Sequence, residues 1–304
     1  MKSAFAKSLC LLPWVLTTIL ACGPEAEEAA SGPRLRLGQL TDSDQLQLAQ
    51  VEALGEAEAL DVPVVERNGL LLLEGDILVG RTSESPSALK QALEVSQFNG
   101  IPQGSLRWPE GKIPYVVSNV FTSAQEKMIA QAMKEIKDRT GVRFVHRTDE
   151  TDFVRIIKTN DGCYYAAGPG RKGGVQELSL QDNNQASCFY HDIIIHELLH
   201  AVGLWHEQSR YDRNKFVRII WDNIQKGRKP QFQLIPASRS DVYDTEYDYR
   251  SVMHYDKNAF GVTSSAVTIR PRDEDYLNVI GRVESMSATD ARKVRRIYQD
   301  LLEP

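Results

Sequence analysis

Histidine is scarce in this chain and cysteine scarcer: six and four residues respectively among 304. No basic cluster offsets the net charge of −5, which argues against nucleic-acid binding. Long apolar runs are almost absent. The one candidate, from Leu9 to Ala21, is short of the roughly 20 residues that a membrane-spanning helix needs. There is no internal repeat and no regular βαβ alternation, so repeat arrays and doubly wound sheets are set aside in favour of an α+β fold. What remains is ordinary globular composition, 42% hydrophobic and 25% charged, in a chain long enough for one large domain and an accessory segment.

Three of the six histidines fall within eleven residues, His-Glu-Leu-Leu-His-Ala-Val-Gly-Leu-Trp-His from His196 to His206. On a helix, His196 and His200 share one face and can grip one metal ion. Glu197 is rotated off that face by about 100° and is placed to act as a general base. Gly203 can end the helix in a left-handed turn, which brings His206 back as a third nitrogen ligand. Three neutral imidazoles with one position left open describe a catalytic zinc site rather than a closed structural one. A second element, Ser251-Val252-Met253-His254-Tyr255, reads as a methionine-containing turn beneath the metal.

The string His206-Glu207-Gln208-Ser209-Arg210-Tyr211-Asp212-Arg213, together with that turn, resembles the astacin family of metzincin zinc endopeptidases. Trp108-Pro109-Glu110-Gly111 resembles the start of the family's mature domain, and the resemblance covers roughly residues 100–300. It implies a two-lobed catalytic domain. The N-terminal lobe would hold a twisted mixed sheet and the zinc helix. The C-terminal lobe would be irregular with a terminal helix. It also implies one Zn2+ on His196, His200 and His206, Glu197 as catalytic base, Met253 as an apolar floor, and Tyr255 as a residue that ligates zinc at rest and then hydrogen-bonds the transition state. Glu207 would tie down the mature N-terminus. Two departures stand out: Asn214 replaces a usual Asp, and a second cysteine pair is missing. A zinc amidase acting on a cell-wall or other non-protein amide, and an inactive binding relative, remain as alternatives.

The N-terminus has the layout of an export signal, with Lys2 and Lys7 ahead of the apolar stretch and residues 1–22 as its extent. Ala21-Cys22 resembles a bacterial lipoprotein box, so Cys22 is a candidate lipid site, with ordinary cleavage as the alternative. The protein is thus expected to be exported, either extracellular or anchored by lipid to the cell envelope. Cys163 and Cys188 then remain as a pair, expected as a disulfide in an oxidising compartment, with two buried thiols as the other possibility. Residues 23–100 carry fourteen acidic and five basic residues, whereas 101–304 are near neutral, with 27 acidic and 29 basic. The first stretch reads as an acidic linker and propeptide, or as a mere solubilising leader. Within it, Leu72-Leu73-Glu74-Gly75-Asp76-Ile77-Leu78 resembles the family's propeptide motif, whose Asp fills the open zinc position; Gly-Asp is also a common turn. An activation cut is expected between about Gln97 and Ser105. The partners implied are protein or peptide substrates, the chain's own propeptide, and a membrane through Cys22.

Along the domain, Ser123 is expected to cap a helix with Ile129, Met133 and Ile136 inward and Gly141 as its stop. Strands are expected at Pro114–Val117, Val142–His146, Phe153–Lys158 and Val175–Leu180, the last as a substrate platform. Helices are expected at His191–Val202 and after Ser287.

Overall fold

The computed structural model describes residues 30, 33–34, 44–46, 64–85, 106–166, 168–235, 237 and 241–302. The expected export signal, Cys22 and the expected activation cut lie outside these residues.

Among the described residues there are eleven strands and three α-helices. Strands β1 (Asp44–Leu46), β2 (Val65–Arg67), β3 (Leu70–Leu73) and β4 (Ile77–Arg81) form an antiparallel meander. Strands β5 (Lys112–Val117), β6 (Arg143–His146), β7 (Phe153–Ile157), β8 (Tyr164–Ala166) and β9 (Val175–Ser179) belong to the domain proper. All nine form one sheet in the order β1-β2-β3-β4-β8-β9-β7-β5-β6. The join is a parallel pairing of β4 with β8, Ile77 opposite Tyr165 and Leu78 opposite Ala166. Within the domain the strands run parallel except β8, which is antiparallel to β9.

Helix α1 (Ser123–Thr140) begins one residue earlier in its cap than expected. Thr122, not Ser123, accepts from the Gln125 amide at 3.2 Å, and the Gln125 side chain accepts from the Thr122 amide at 3.0 Å. Thr122 and Gln125 supply both bonds of the capping box, and Met128, Ile129, Ala132, Met133 and Ile136 face the core. Gly141, at φ 85°, ends the helix as expected.

Helix α2 (His191–Val202) is buried from Ile193 to Val202 on every side, which suits a segment so rich in Ile and Leu. Its C-terminal end is pinned by Trp108, whose indole N–H donates to Ala201 O at 2.8 Å, and by Tyr298, whose hydroxyl donates to Val202 O at 2.8 Å. The main core lies between the sheet and the helices. A second apolar cluster gathers Val217, Ile219, Phe232, Tyr255, Phe260 and Ile269 around the small sheet of β10 (Val217–Ile219) and β11 (Ile269–Pro271). Helix α3 (Ala288–Ile297), capped by Ser287, buries Val294 and Ile297 in the main core and so returns the chain to the first lobe. Cys163 and Cys188 form a disulfide that ties the approach to β8 to the approach to α2.

The expected substrate platform needs correction. Strand β9 is interior, hydrogen-bonded by β8 on one side and β7 on the other. The strand whose free edge would serve a peptide is β8, and β4 occupies it. β8 is only three residues long among glycines, too short to show an alternating pattern.

Candidate metal centre

His196 and His200 lie one turn apart on α2, and Gly203, at φ 129°, stops the helix by donating to Leu199 O and His200 O, each at 3.0 Å. The chain then turns so that His206 returns to the same point. The three imidazoles and Asp76 are all buried, and one ligand atom from each lies within 4.8 Å of the others. His206 Nε2 stands 3.1 Å from Asp76 Oδ2 and 3.2 Å from His196 Nε2. His196 Nε2 is 3.5 Å from Asp76 Oδ2, and His200 Nε2 is 4.0 Å from Asp76 Oδ1.

Each imidazole is oriented from behind. His196 Nδ1 faces Val252 O at 2.8 Å, His200 Nδ1 faces Leu204 O at 2.7 Å, and His206 Nδ1 faces Glu74 Oε2 at 2.5 Å. Acceptors on Nδ1 hold the proton there and turn the Nε2 lone pairs inward. Two facing Nε2 atoms need a cation between them. His200 Nε2 and Asp76 Oδ1 are also buried with no hydrogen-bond partner among the described residues. Three imidazole nitrogens and a carboxylate oxygen are a donor set suited to zinc, so the residues present fit that ion.

The charged groups of the cluster act strongly on one another. Burial would depress the His206 imidazole, but Asp76 beside it and Glu74 behind it raise it to about 10. Burial would raise the Asp76 carboxyl, but His206 and the other imidazoles hold it far below the usual range. Burial, and then the Asp76 charge, push the Glu197 carboxyl well up. Glu197 is fully buried next to this cluster, and neither carboxylate oxygen has a hydrogen-bond partner among the described residues.

The turn under the cluster is held from several directions. Met253 is buried, and its carbonyl accepts from the Glu207 amide at 2.9 Å. His254 points away from the cluster, its Nε2 2.7 Å from the Tyr247 hydroxyl and its Nδ1 2.8 Å from Tyr255 O. Tyr255 packs against His206 with ring centroids 4.8 Å apart. Its hydroxyl donates to the carbonyl of Glu74. Glu207 is buried and pairs with Lys293, with Arg210 at 3.1 Å, and with the Asp248 amide at 2.8 Å. Those cations outweigh burial and keep its carboxyl below the usual range. His146 meets Tyr115 and His191 meets Glu135, both away from the cluster.

Asp76 reaches the cluster from a turn between β3 and β4 in which Glu74 and Gly75 both take left-handed backbone, φ 51° and 85°. Gly75 is pressed on Phe260, where a Cβ would stand 3.0 Å from the ring. The apolar side of the meander, Val64, Leu71, Ile77 and Val79, packs with Trp205, and Leu70, Leu72 and Leu78 pack with Tyr164. Glu74 lies inside the segment that resembles the propeptide motif, where the resemblance gives a role to Asp76 alone. The only hint in the sequence is that a third imidazole ligand needs an acceptor for its Nδ1.

A buried three-histidine cluster on a helix and its returning turn, set at the end of a mixed sheet, has the make-up of a zinc site. The chain belongs to the astacin peptidase family, whose model matches residues 101–299. It is 38% identical to zinc metalloproteinase nas-6 of Caenorhabditis elegans over 70% of this chain and 60% of that protein. It is 40% identical to zinc metalloproteinase nas-8 of Steinernema carpocapsae over 66% of this chain and 46% of that protein. The chain thus spans about half to three-fifths of the length of these relatives. Among solved structures it is similar to High choriolytic enzyme 1, a hatching enzyme zinc-protease from the medaka fish Oryzias latipes. The TM-score is 0.56 at 38% identity, covering 64% of this chain and 92% of that one.

Proposed function

We propose that the chain is an exported zinc-dependent endopeptidase made as a latent precursor, with residues 1–22 as signal, 23–100 as acidic linker and pro-segment, and 101–304 as the peptidase. One observation carries the latency: the Asp76 carboxylate stands where the three histidine Nε2 atoms converge, at the position a catalytic site must leave open. Zinc, when bound, supplies a Lewis acid that polarises the scissile carbonyl and brings a water to a pKa of about 7. Glu197 takes the proton of the attacking water and delivers it to the leaving amine. Tyr255, freed from the Glu74 carbonyl, donates its hydroxyl to the developing oxyanion.

The same segment covers the substrate groove. Pairing of β4 with β8 uses the main-chain edge of Tyr164–Ala166, and the Tyr165 amide donates to Asp76 O at 2.9 Å. Once β4 leaves, that edge accepts an extended peptide by strand addition, which favours protein substrates over a cell-wall amide. Glu207 already holds Lys293 and Arg210, so a new N-terminus would join this network through the adjoining cavity of about 40 Å3, which Tyr243 and Lys293 also line. Export ends in release, or in attachment through lipid on Cys22. No helix among the described residues is long and apolar enough to cross a membrane.

The test is a cleavage-resistant precursor with Asp76→Ala. It should hydrolyse a short peptide that the intact precursor leaves untouched. Equal silence from both would show that Asp76 is not the lock.

A further inference from the structure

Glu74 makes three hydrogen bonds around the metal centre, and none of them is to the metal position. Its Oε2 accepts from His206 Nδ1 at 2.5 Å, its Oε1 accepts from Ser209 Oγ at 2.5 Å, and its carbonyl accepts from the Tyr255 hydroxyl. The side chain is buried, so each contact is made out of water, where a charge-assisted bond is strong and an unpaired carboxylate is costly. The left-handed backbone at Glu74 and Gly75 is what lets adjacent residues face the same centre, Asp76 from the front and Glu74 from behind His206.

From this we infer that Glu74 is a second, independent latch: a positioning residue that fixes the third ligand His206 in the precursor and parks Tyr255 away from the metal. The inference rests on the reading of 64–85 as a pro-segment. It adds a consequence that Asp76 alone does not have. His196 and His200 find their Nδ1 acceptors in Val252 and Leu204, inside the peptidase itself. His206 finds its acceptor in the segment that is to be removed. The precursor therefore holds its metal with four ligands and three anchored imidazoles, whereas processing strips one ligand and one anchor together. Metal retention should drop in a single step at activation. Part of that drop belongs to Glu74, since partners of this kind are worth about 10–100-fold in metal affinity.

The test uses the full-length zinc-loaded precursor, carrying Glu197→Gln so that it cannot process itself. The readout is the rate of zinc transfer to a chromophoric chelator. Glu74→Ala should release zinc about 10–100-fold faster than its parent. Glu74→Gln, which keeps an acceptor but not the charge, should fall between them and guards against a variant that fails to fold. When each precursor is cut by an added protease, the Glu74 variant and its parent yield the same mature protein and should release zinc at one common, faster rate. Asp76→Ala serves as the separate arm. If it releases zinc like its parent, the metal-lock reading of Asp76 fails, while the Glu74 contact to His206 stands. If Glu74→Ala and Glu74→Gln both release zinc at the parent's rate, Glu74 is only a turn residue and the inference falls.

Discussion

Asp290, in the first turn of the last helix, accepts from Ser251 Oγ at 2.6 Å and from the Val252 amide at 3.0 Å. Val252 in turn offers its carbonyl to Nδ1 of the ligand His196. The last helix thus aligns a metal ligand through two links. The same carboxylate closes the helix cap on the Ser287 amide at 2.9 Å.

Asp290→Ala should therefore do two things at once. Losing a buried carboxylate and leaving buried donors unpaired should cost roughly 2–4 kcal/mol, because each orphaned group costs about 1–3. Melting should drop by roughly 5–15 °C for a protein of this size. Zinc content after dialysis should also fall, since His196 loses its support. Thermal unfolding and metal analysis of the same sample check both. A stability loss with full zinc retention would break the proposed link.

Glu197→Ala in the processed enzyme should lower peptide hydrolysis by at least about 10²–10⁴-fold, the range for losing general acid–base catalysis. Zinc should stay bound, because Glu197 is outside the set of converging ligand atoms. Casein cleavage and metal content measured together decide it. Activity within about tenfold of wild type would refute the role.

Tyr255→Phe should reduce kcat of the processed enzyme by about 10–1000-fold, as for the loss of one oxyanion donor, with KM little changed. In the precursor it removes the bond to the Glu74 carbonyl, so trimming of the pro-segment by an added protease should quicken. Steady-state kinetics and a digestion time course separate the two effects. An unchanged kcat would leave Tyr255 as packing for His206.

Much of the site was legible because its chemistry is local. His196, His200 and Gly203 are set by one helix and its stop, and α2 spans the expected residues, His191 to Val202. His206 follows from the turn that Gly203 makes. The long-range partners were not legible. Nothing in the spacing pairs Glu74 with His206 across 132 positions, or Asp290 with Ser251 across 39. The edge strand went unread for another reason. Hydrophobicity marks burial, and both β8 and β9 bury most of their residues, so composition alone cannot say which has a free edge.

His254 should give the protein an acid-sensitive step. Burial outweighs its neighbours and lowers its imidazole to about 4 from an ordinary 6.5. The unfolded chain therefore takes up a proton between those values and the folded one does not. The stability that this residue contributes is complete above about pH 6.5, declines as pH falls, and is gone below about 4, a change of roughly 3 kcal/mol. His254→Gln keeps a donor and an acceptor without the titration. Urea midpoints from pH 7.5 to 4 should fall less steeply in the variant. Parallel profiles in the two proteins would exclude the assignment, since acid loss of the metal ligands is common to both.

Gly75→Ala should loosen the latent form while leaving the mature one alone. Two costs meet at this position. Backbone at φ 85° disfavours any side chain, and the new methyl would stand 3.0 Å from the Phe260 ring. The adjacent β3 and β4 are buried and paired, so relief falls on the turn, which should tilt Glu74 and Asp76 off the histidines. A cleavage-resistant Gly75→Ala precursor should then hydrolyse a short peptide at a rate between the silent parent and the processed enzyme. Adding Phe260→Leu removes the contact but not the backbone strain, so it should restore part of the latency. If the single variant is as silent as its parent, the turn has enough slack to absorb a methyl, and its close fit on Phe260 is not what holds the carboxylate in place.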